Sequence, residues 1–420
     1  MLIAVSLRYA GLLLQFVVLA VLAQRLPPES YGTYVLVLGV VLPTYFLVGL
    51  GSSEWFVRDV PQLRSSERDA TLPGLAGAVL TAVFFSGLAT AVVVAALVAM
   101  TELRTAALVF AGVMVISAGL MFNGAQLLLG SGSGRLGAFF FYPALNIAIA
   151  ASALPVVIVA SQPTFTQVAT AAGAAAALGG TVAVIAALLA CGVGRPDLRQ
   201  LVSRGPLGLR LAGARAAYSL GLWMPTLVAG AVLSAAEAGE VGTAGRIAVA
   251  VSAITAAFRF MVRPAFARAG SDGNLEEIRR LCARLSGVAS VLAAGALVAN
   301  IALGEGVLSW MFGPGLSALP TLLSILLVGV LAEALVGPAD EVLKMLGFES
   351  AILGAYCVML PLQLAALVLA GSAAGMNGLA VAQVGYYGIT SLAVLLLVRW
   401  KVGVWLGPLA GVGRPRKVRL

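Results

Sequence analysis

Histidine is absent from this chain of 420 residues, and charge is scarce, with Asp, Glu, Lys and Arg making up 10%. Without an imidazole there is no Ser-His-Asp triad, no Cys-His dyad, no His-ligated metal and no imidazole proton relay. Cysteine is limited to Cys191, Cys282 and Cys357. That odd, scattered set makes neither a disulfide framework nor a metal cluster. A Gly-rich phosphate loop and a Walker lysine are also missing. No catalytic residue, metal or cofactor is therefore expected. Long polar stretches are missing too, and hydrophobic residues reach 61% with mean hydropathy +1.04. An ordinary soluble domain is about one quarter charged, and no soluble core hides that much apolar surface.

What is present is a series of twelve apolar runs. A lipid-facing segment must satisfy its own backbone hydrogen bonds, so each run reads as a spanning helix. The spans fall at about 2–23, 33–51, 75–100, 106–130, 137–160 and 168–191, then 218–235, 245–262, 285–303, 320–341, 351–370 and 379–398. The 49 glycines, with frequent Ala, let helices approach closely in lipid. The expected fold is an all-α membrane protein of about twelve transmembrane helices, six plus six. Its parts are an N-terminal bundle (1–191), an amphipathic linker (192–217), a C-terminal bundle (218–398) and a basic tail (399–420).

Basic residues occupy alternate gaps. One side holds Arg58, Arg64, Arg68, Arg135, the linker arginines, the cluster from Arg263 to Arg284, Lys344 and the C-terminal group. The other holds Arg25, Arg104 and Arg246, while Arg8 and Arg259 lie within spans. The positive-inside rule then makes both termini cytoplasmic in a bacterial inner membrane. The net charge of +9 is accounted for by anionic lipid beside the spans, so no nucleic-acid partner is expected. Span one has small residues near Ala23, as a signal peptide does, but Arg25 and eleven further spans make it a retained helix.

Two cytoplasmic gaps hold more than a turn. The linker mixes Arg195, Arg199, Arg204 and Arg215 with Leu207 and Leu211, the pattern of a helix lying on the inner leaflet. Ahead of span nine, Asn274 precedes Glu276 and Glu277. An N-cap with an acidic first turn predicts a helix running into that span. An internal echo, Glu29-Ser30-Tyr31-Gly32-Thr33 against Glu240-Val241-Gly242-Thr243, suggests parallel repeats.

Ionisable residues at membrane depth cost several kcal/mol each, and are functional candidates for that reason. Glu333 is the deepest carboxylate. Asp340 lies seven residues on, nearly the same face of a continuous helix, across Gly337-Pro338, which is expected to break or kink span ten. Both are candidates for ion coupling, although Asp340 also suits a surface pair with Lys344. Arg8, Arg25, Arg246 and Arg259 form the cationic set; a guanidinium fork suits phosphate or diphosphate oxygens. The same four residues could instead snorkel to the interfaces. Amides such as Asn123, Gln126, Asn146 and Gln383 suit sugar hydroxyls, or could bond neighbouring helices.

The stretch Ala23-Gln24-Arg25-Leu26-Pro27-Pro28-Glu29-Ser30-Tyr31-Gly32 resembles the first-loop signature of bacterial Wzx-type polysaccharide flippases. Gly49-Leu50-Gly51 and Trp310-Met311-Phe312-Gly313-Pro314-Gly315 are similar to further family signatures. The resemblance, to the multidrug/oligosaccharidyl-lipid/polysaccharide superfamily, implies two six-helix bundles around a central cavity. It also implies transport of a polyprenyl-diphosphate-linked oligosaccharide from the cytoplasmic to the outer leaflet, for surface polysaccharide biosynthesis. Membrane lipids and other polysaccharide-assembly membrane proteins are its expected partners. The rival is a cation-coupled multidrug antiporter of the same fold. A membrane glycan polymerase or ligase is disfavoured, because its sugar acceptor usually needs an outer domain larger than these short gaps.

Overall fold

The computed structural model describes residues 2–60, 65–99, 105–271 and 274–407. Arg64, Arg68, Arg104 and the basic tail beyond Gly407 are sequence-predicted features that lie outside the described residues or side chains. Among the described residues the chain is helical throughout, with turns and no strand. Two compact units emerge. One comprises Met1–Trp223 with Met311–Gly315, the other Met224–Trp310 with Leu316–Leu420.

The first unit contains α1 (Leu2–Arg25), α2 (Pro28–Thr44), α3 (Ser52–Asp59), α4 (Ser65–Ala99) and α5 (Thr105–Ser131). It continues with α6 (Gly134–Phe141), α7 (Ala144–Val159), α8 (Phe165–Cys191) and most of α9 (Leu198–Val232). α5 is its hub, packed on α2, α3, α4, α6 and α8. Small residues make that packing possible. A Cβ on Gly124 would meet Ala183 O of α8 at 2.9 Å, and one on Gly180 would meet Ser117 O at 3.0 Å, so backbone rests on backbone. Asn146 of α7 donates to Gly11 O of α1 at 3.0 Å.

The second unit takes α10 (Ala235–Ser271), α11 (Leu275–Phe312), α12 (Leu319–Val336), α13 (Ala339–Met345) and α14 (Glu349–Lys401). Helix starts follow local chemistry. Ser234 and Glu237 exchange reciprocal bonds ahead of α10, as a capping box requires. Asn274 caps α11, accepting from Glu277 N at 3.1 Å. The predicted cytoplasmic helix therefore runs unbroken into span nine.

Eight described helices are long and apolar enough to cross a membrane, or nine if the bent pair α6 and α7 counts as one span. α14 holds 53 residues, about 80 Å at 1.5 Å per residue. That is enough for spans eleven and twelve, and its helical geometry breaks at Ala374 and Gly375 between them. The stretches expected as spans seven and eight lie on α9 and α10, which are not among those eight. Large apolar side chains such as Phe84, Phe85, Leu189 and Leu303 point outward, as lipid permits and water would not.

Three spans differ in detail from a straight helix. Span five is bent by 49° between α6 and α7, where Pro143 has no N–H to continue the ladder. Span two ends early: α2 gives way to a 3-10 turn at Tyr45–Leu47, then Gly49, Leu50 and Gly51 all take positive φ. Span ten stops at Val336, with Gly337 at φ 77 ahead of Pro338. Asp340 consequently starts a separate helix, α13. The shared face drawn for Glu333 and Asp340 on one continuous helix does not hold.

Candidate functional site

In the first unit, the left-handed run Gly49-Leu50-Gly51 reverses the chain and starts α3, which places Ser52, Ser53, Glu54 and Trp55 inside the protein. Glycine is needed twice. A Cβ at 49 would lie 2.6 Å from Asn123 Oδ1, and one at 51 would lie 1.9 Å from Gly208 O of α9. Asn123 Nδ2 donates to Val48 O at 3.0 Å and fastens the turn to α5.

Glu54 is the centre of this cluster. Arg215 Nη1 of α9 lies 3.0 Å from its Oε1, and the Gln126 amide bonds the same carboxylate. The Arg215 guanidinium also sits over the rings of Phe46 and Phe122, at 5.8 and 5.7 Å. About three turns upstream on α9, Arg204 lies 5.1 Å over the buried Trp55 ring. Burial pushes the Glu54 carboxyl above its ordinary value, against the opposing pulls of Arg215 and Gln126. Glu54 stands between the apolar stretches Pro28–Leu47 and Thr71–Ala96, beyond the end of span two. Ser52 Oγ, Ser53 Oγ, Trp55 Nε1 and Asn123 Oδ1 are buried without a hydrogen-bond partner among the described residues.

The second unit has its own polar group. Tyr387 of α14 hydrogen-bonds Gln383 and lies within electrostatic reach of Arg246 on α10 and Glu333 on α12. Tyr386 is also within reach of Glu333. Gln363 Nε2 donates to Gln383 Oε1 at 2.7 Å and ties the two halves of α14 together. Gly329 makes room, since a Cβ there would lie 2.7 Å from Tyr387 Cδ2. A cation, a carboxylate, two phenols and two amides thus share one neighbourhood of the bundle. Further out, the Glu240 carboxylate accepts from Ala318 N at 2.8 Å and caps α12. Burial raises its carboxyl value, and the Ala318 and Leu319 N–H groups oppose that rise.

The sequence-predicted residues are distributed as follows. Arg8 is half-buried and Arg25 exposed; both are on α1, 17 positions apart, about 26 Å along the axis. Arg246 belongs to the second unit and joins Glu333 there. α10 also carries Arg259, whose side chain lies outside the described residues. Asn123 and Asn146 bond backbone carbonyls, and Gln126 bonds Glu54. Of the amides, Gln383 stands with Arg246 and Glu333. Sequence reasoning missed Glu54. Its signal is a lone carboxylate set between Ser52-Ser53 and the bulky pair Trp55-Phe56, next to a Gly-Leu-Gly that cannot remain helical.

No protein-family model matches the sequence, and no curated protein matches it. Solved structures match along nearly the whole chain. A multidrug resistance MATE family transporter of the MOP superfamily, inward-facing, superposes with TM-score 0.75 at 14% identity, over 96% of this chain and 98% of that one. The lipid II flippase MurJ, inward closed, gives 0.66 at 11% identity, over 95% and 88%. The MATE multidrug transporter DinF-BH gives 0.62 at 14% identity, over 95% of each chain.

Proposed function

From that shared fold and from the polar group around Arg246, we propose that this chain is a flippase of the MOP superfamily for a polyprenyl-diphosphate-linked oligosaccharide. It carries this lipid from the cytoplasmic to the outer leaflet of a bacterial plasma membrane for surface polysaccharide biosynthesis, with both termini cytoplasmic. The observation that carries the reading is Arg246. A guanidinium at the outer end of predicted span eight, half-buried and kept company by Tyr387 and Glu333, loses part of its hydration and needs a counter-charge. Anion binding gives it a purpose. Its fork of donors matches diphosphate oxygens, Arg8, Arg25 and Arg259 add further cations along the route, and amides such as Gln383 suit sugar hydroxyls. The polyprenyl tail stays in lipid. Rocking of one bundle against the other supplies alternating access, and Glu333 couples the cycle to an ion gradient, with Asp340 on the separate helix α13 as a second candidate. Other polysaccharide-assembly membrane proteins supply and consume the cargo.

A second reading, a cation-coupled multidrug antiporter, is favoured by one observation. Glu333 stands beside two phenol rings, and a carboxylate with aromatic faces suits an organic cation. Binding by the purified protein separates the two. Native mass spectrometry with a polyprenyl-diphosphate oligosaccharide, its monophosphate and rhodamine 6G should show preferential retention of the diphosphate. Arg246→Gln should weaken that retention by about 10- to 100-fold, the value of a charge-assisted hydrogen bond. Retention of the dye alone, unaffected by Arg246→Gln, overturns the flippase reading.

A further inference from the structure

α9 has two faces, and the first unit uses one of them. Arg204, Gly208, Ala212 and Arg215 follow one another at three- and four-residue steps, so they share one side of the helix. That side carries the Arg204 contact to Trp55, the close approach of Gly208 to Gly51, and the Arg215 pair with Glu54. The start of the helix is fixed as well. Asp197 N donates to Gly74 O at 3.0 Å, and Asp197 Oδ1 caps Gln200 N.

The adjoining side is uncovered. Leu198, Val202 and Leu209 lie within about 40° of one another around the axis, and Val202 is 77% exposed. Arg199 and Arg210, eleven positions and so about 20° apart, lie together about 60–80° round from Val202, along the edge of the stripe away from the packed side, and Arg195 precedes it; all three are exposed. From Leu198 to Val232 the helix contains no Asp or Glu. The exposed part of its cytoplasmic end is therefore an apolar stripe with positive charge along its free edge.

We propose that this face binds the anionic phospholipid headgroups of the cytoplasmic leaflet, with Leu198, Val202 and Leu209 inserted below them and Arg195, Arg199 and Arg210 pairing the phosphates. The charge pattern selects the occupant. An apolar protein partner has no use for a basic edge, whereas an anionic leaflet attracts that edge and accepts the apolar stripe together. Because the other face is fastened to Glu54 and Trp55, lipid bound here holds the first unit itself at the membrane surface. The inference stands independently of the cargo.

The test uses the full chain with Cys357→Ser, which removes the exposed thiol, leaving Cys191 and Cys282 buried, and with Val202→Cys carrying an environment-sensitive fluorophore. In phosphatidylcholine vesicles doped with phosphatidylglycerol, emission should shift to the blue and become accessible to a lipid-borne quencher, and high salt should reverse the shift. Replacing Arg195, Arg199 and Arg210 together by Gln should lower apparent affinity for the anionic lipid about a hundredfold, at roughly 1 kcal/mol per arginine. These side chains are exposed, so the triple variant should elute as folded protein. Equal emission with and without phosphatidylglycerol, or an unchanged response in the triple variant, overturns the proposal.

Discussion

Glu54 is the residue on which the chemistry of the first unit turns, and its energetics have a definite sign. A carboxyl raised above its unfolded value favours the fold most below that unfolded value, and this contribution is lost as pH rises through the elevated folded value. Thermal stability should accordingly fall between mildly acidic and neutral pH. Arg215→Gln removes the opposing cation while Glu54 stays buried at 13% side-chain exposure. It should steepen that fall and cost about 1–2 kcal/mol at neutral pH, discounted because Arg215 itself is 38% exposed. Glu54→Gln should flatten the profile. Melting temperatures of the purified variants across that pH range check all three outcomes, and a profile in Arg215→Gln parallel to that of the parent would remove Glu54 as its source. The Glu240 cap is a second residue-scale device: Glu240→Ala leaves Ala318 N without its acceptor and should cost about 1 kcal/mol, read from the same melts.

At the scale of elements, close approaches decide where helices meet. Gly208→Ala would put a Cβ 2.8 Å from Leu50 O and 3.0 Å from Gly51 O. Neither is a flexible side-chain tip, so α9 must lift off α3. That lift should break the Arg204–Trp55 contact, change tryptophan fluorescence and lower thermal stability by about 1–3 kcal/mol. Gly213→Ala, which meets open space, should do neither.

Much of the element pattern was legible from sequence for a plain reason: apolar length is the signal for a span, and local caps such as Asn274 set helix starts. What stayed hidden depended on long-range geometry. No periodicity rule says that the carboxylate of Glu54 turns inward to meet Arg215, 161 positions later, because the turn that aims it exists only where Gly51 can touch Gly208. Similarly, Asn123 and Asn146 carry the same amide that would line a sugar site, and only their packed neighbours show them bonding backbone. The break at Gly337 was visible as a Gly-Pro pair. Its consequence, a new helix that carries Asp340 away from the face of Glu333, was not.

For the whole molecule, the proposed role is that of a carrier that hands an anionic lipid across the membrane. The most direct measurement is transfer between leaflets. Reconstituted in liposomes, the protein should expose a fluorescent polyprenyl-diphosphate oligosaccharide from the inner leaflet to an impermeant reductant faster than protein-free vesicles do. Arg246→Ala should cut that rate by about tenfold or more while eluting as folded protein. A rate equal to that of empty liposomes, with rhodamine 6G extruded instead, would contradict the account.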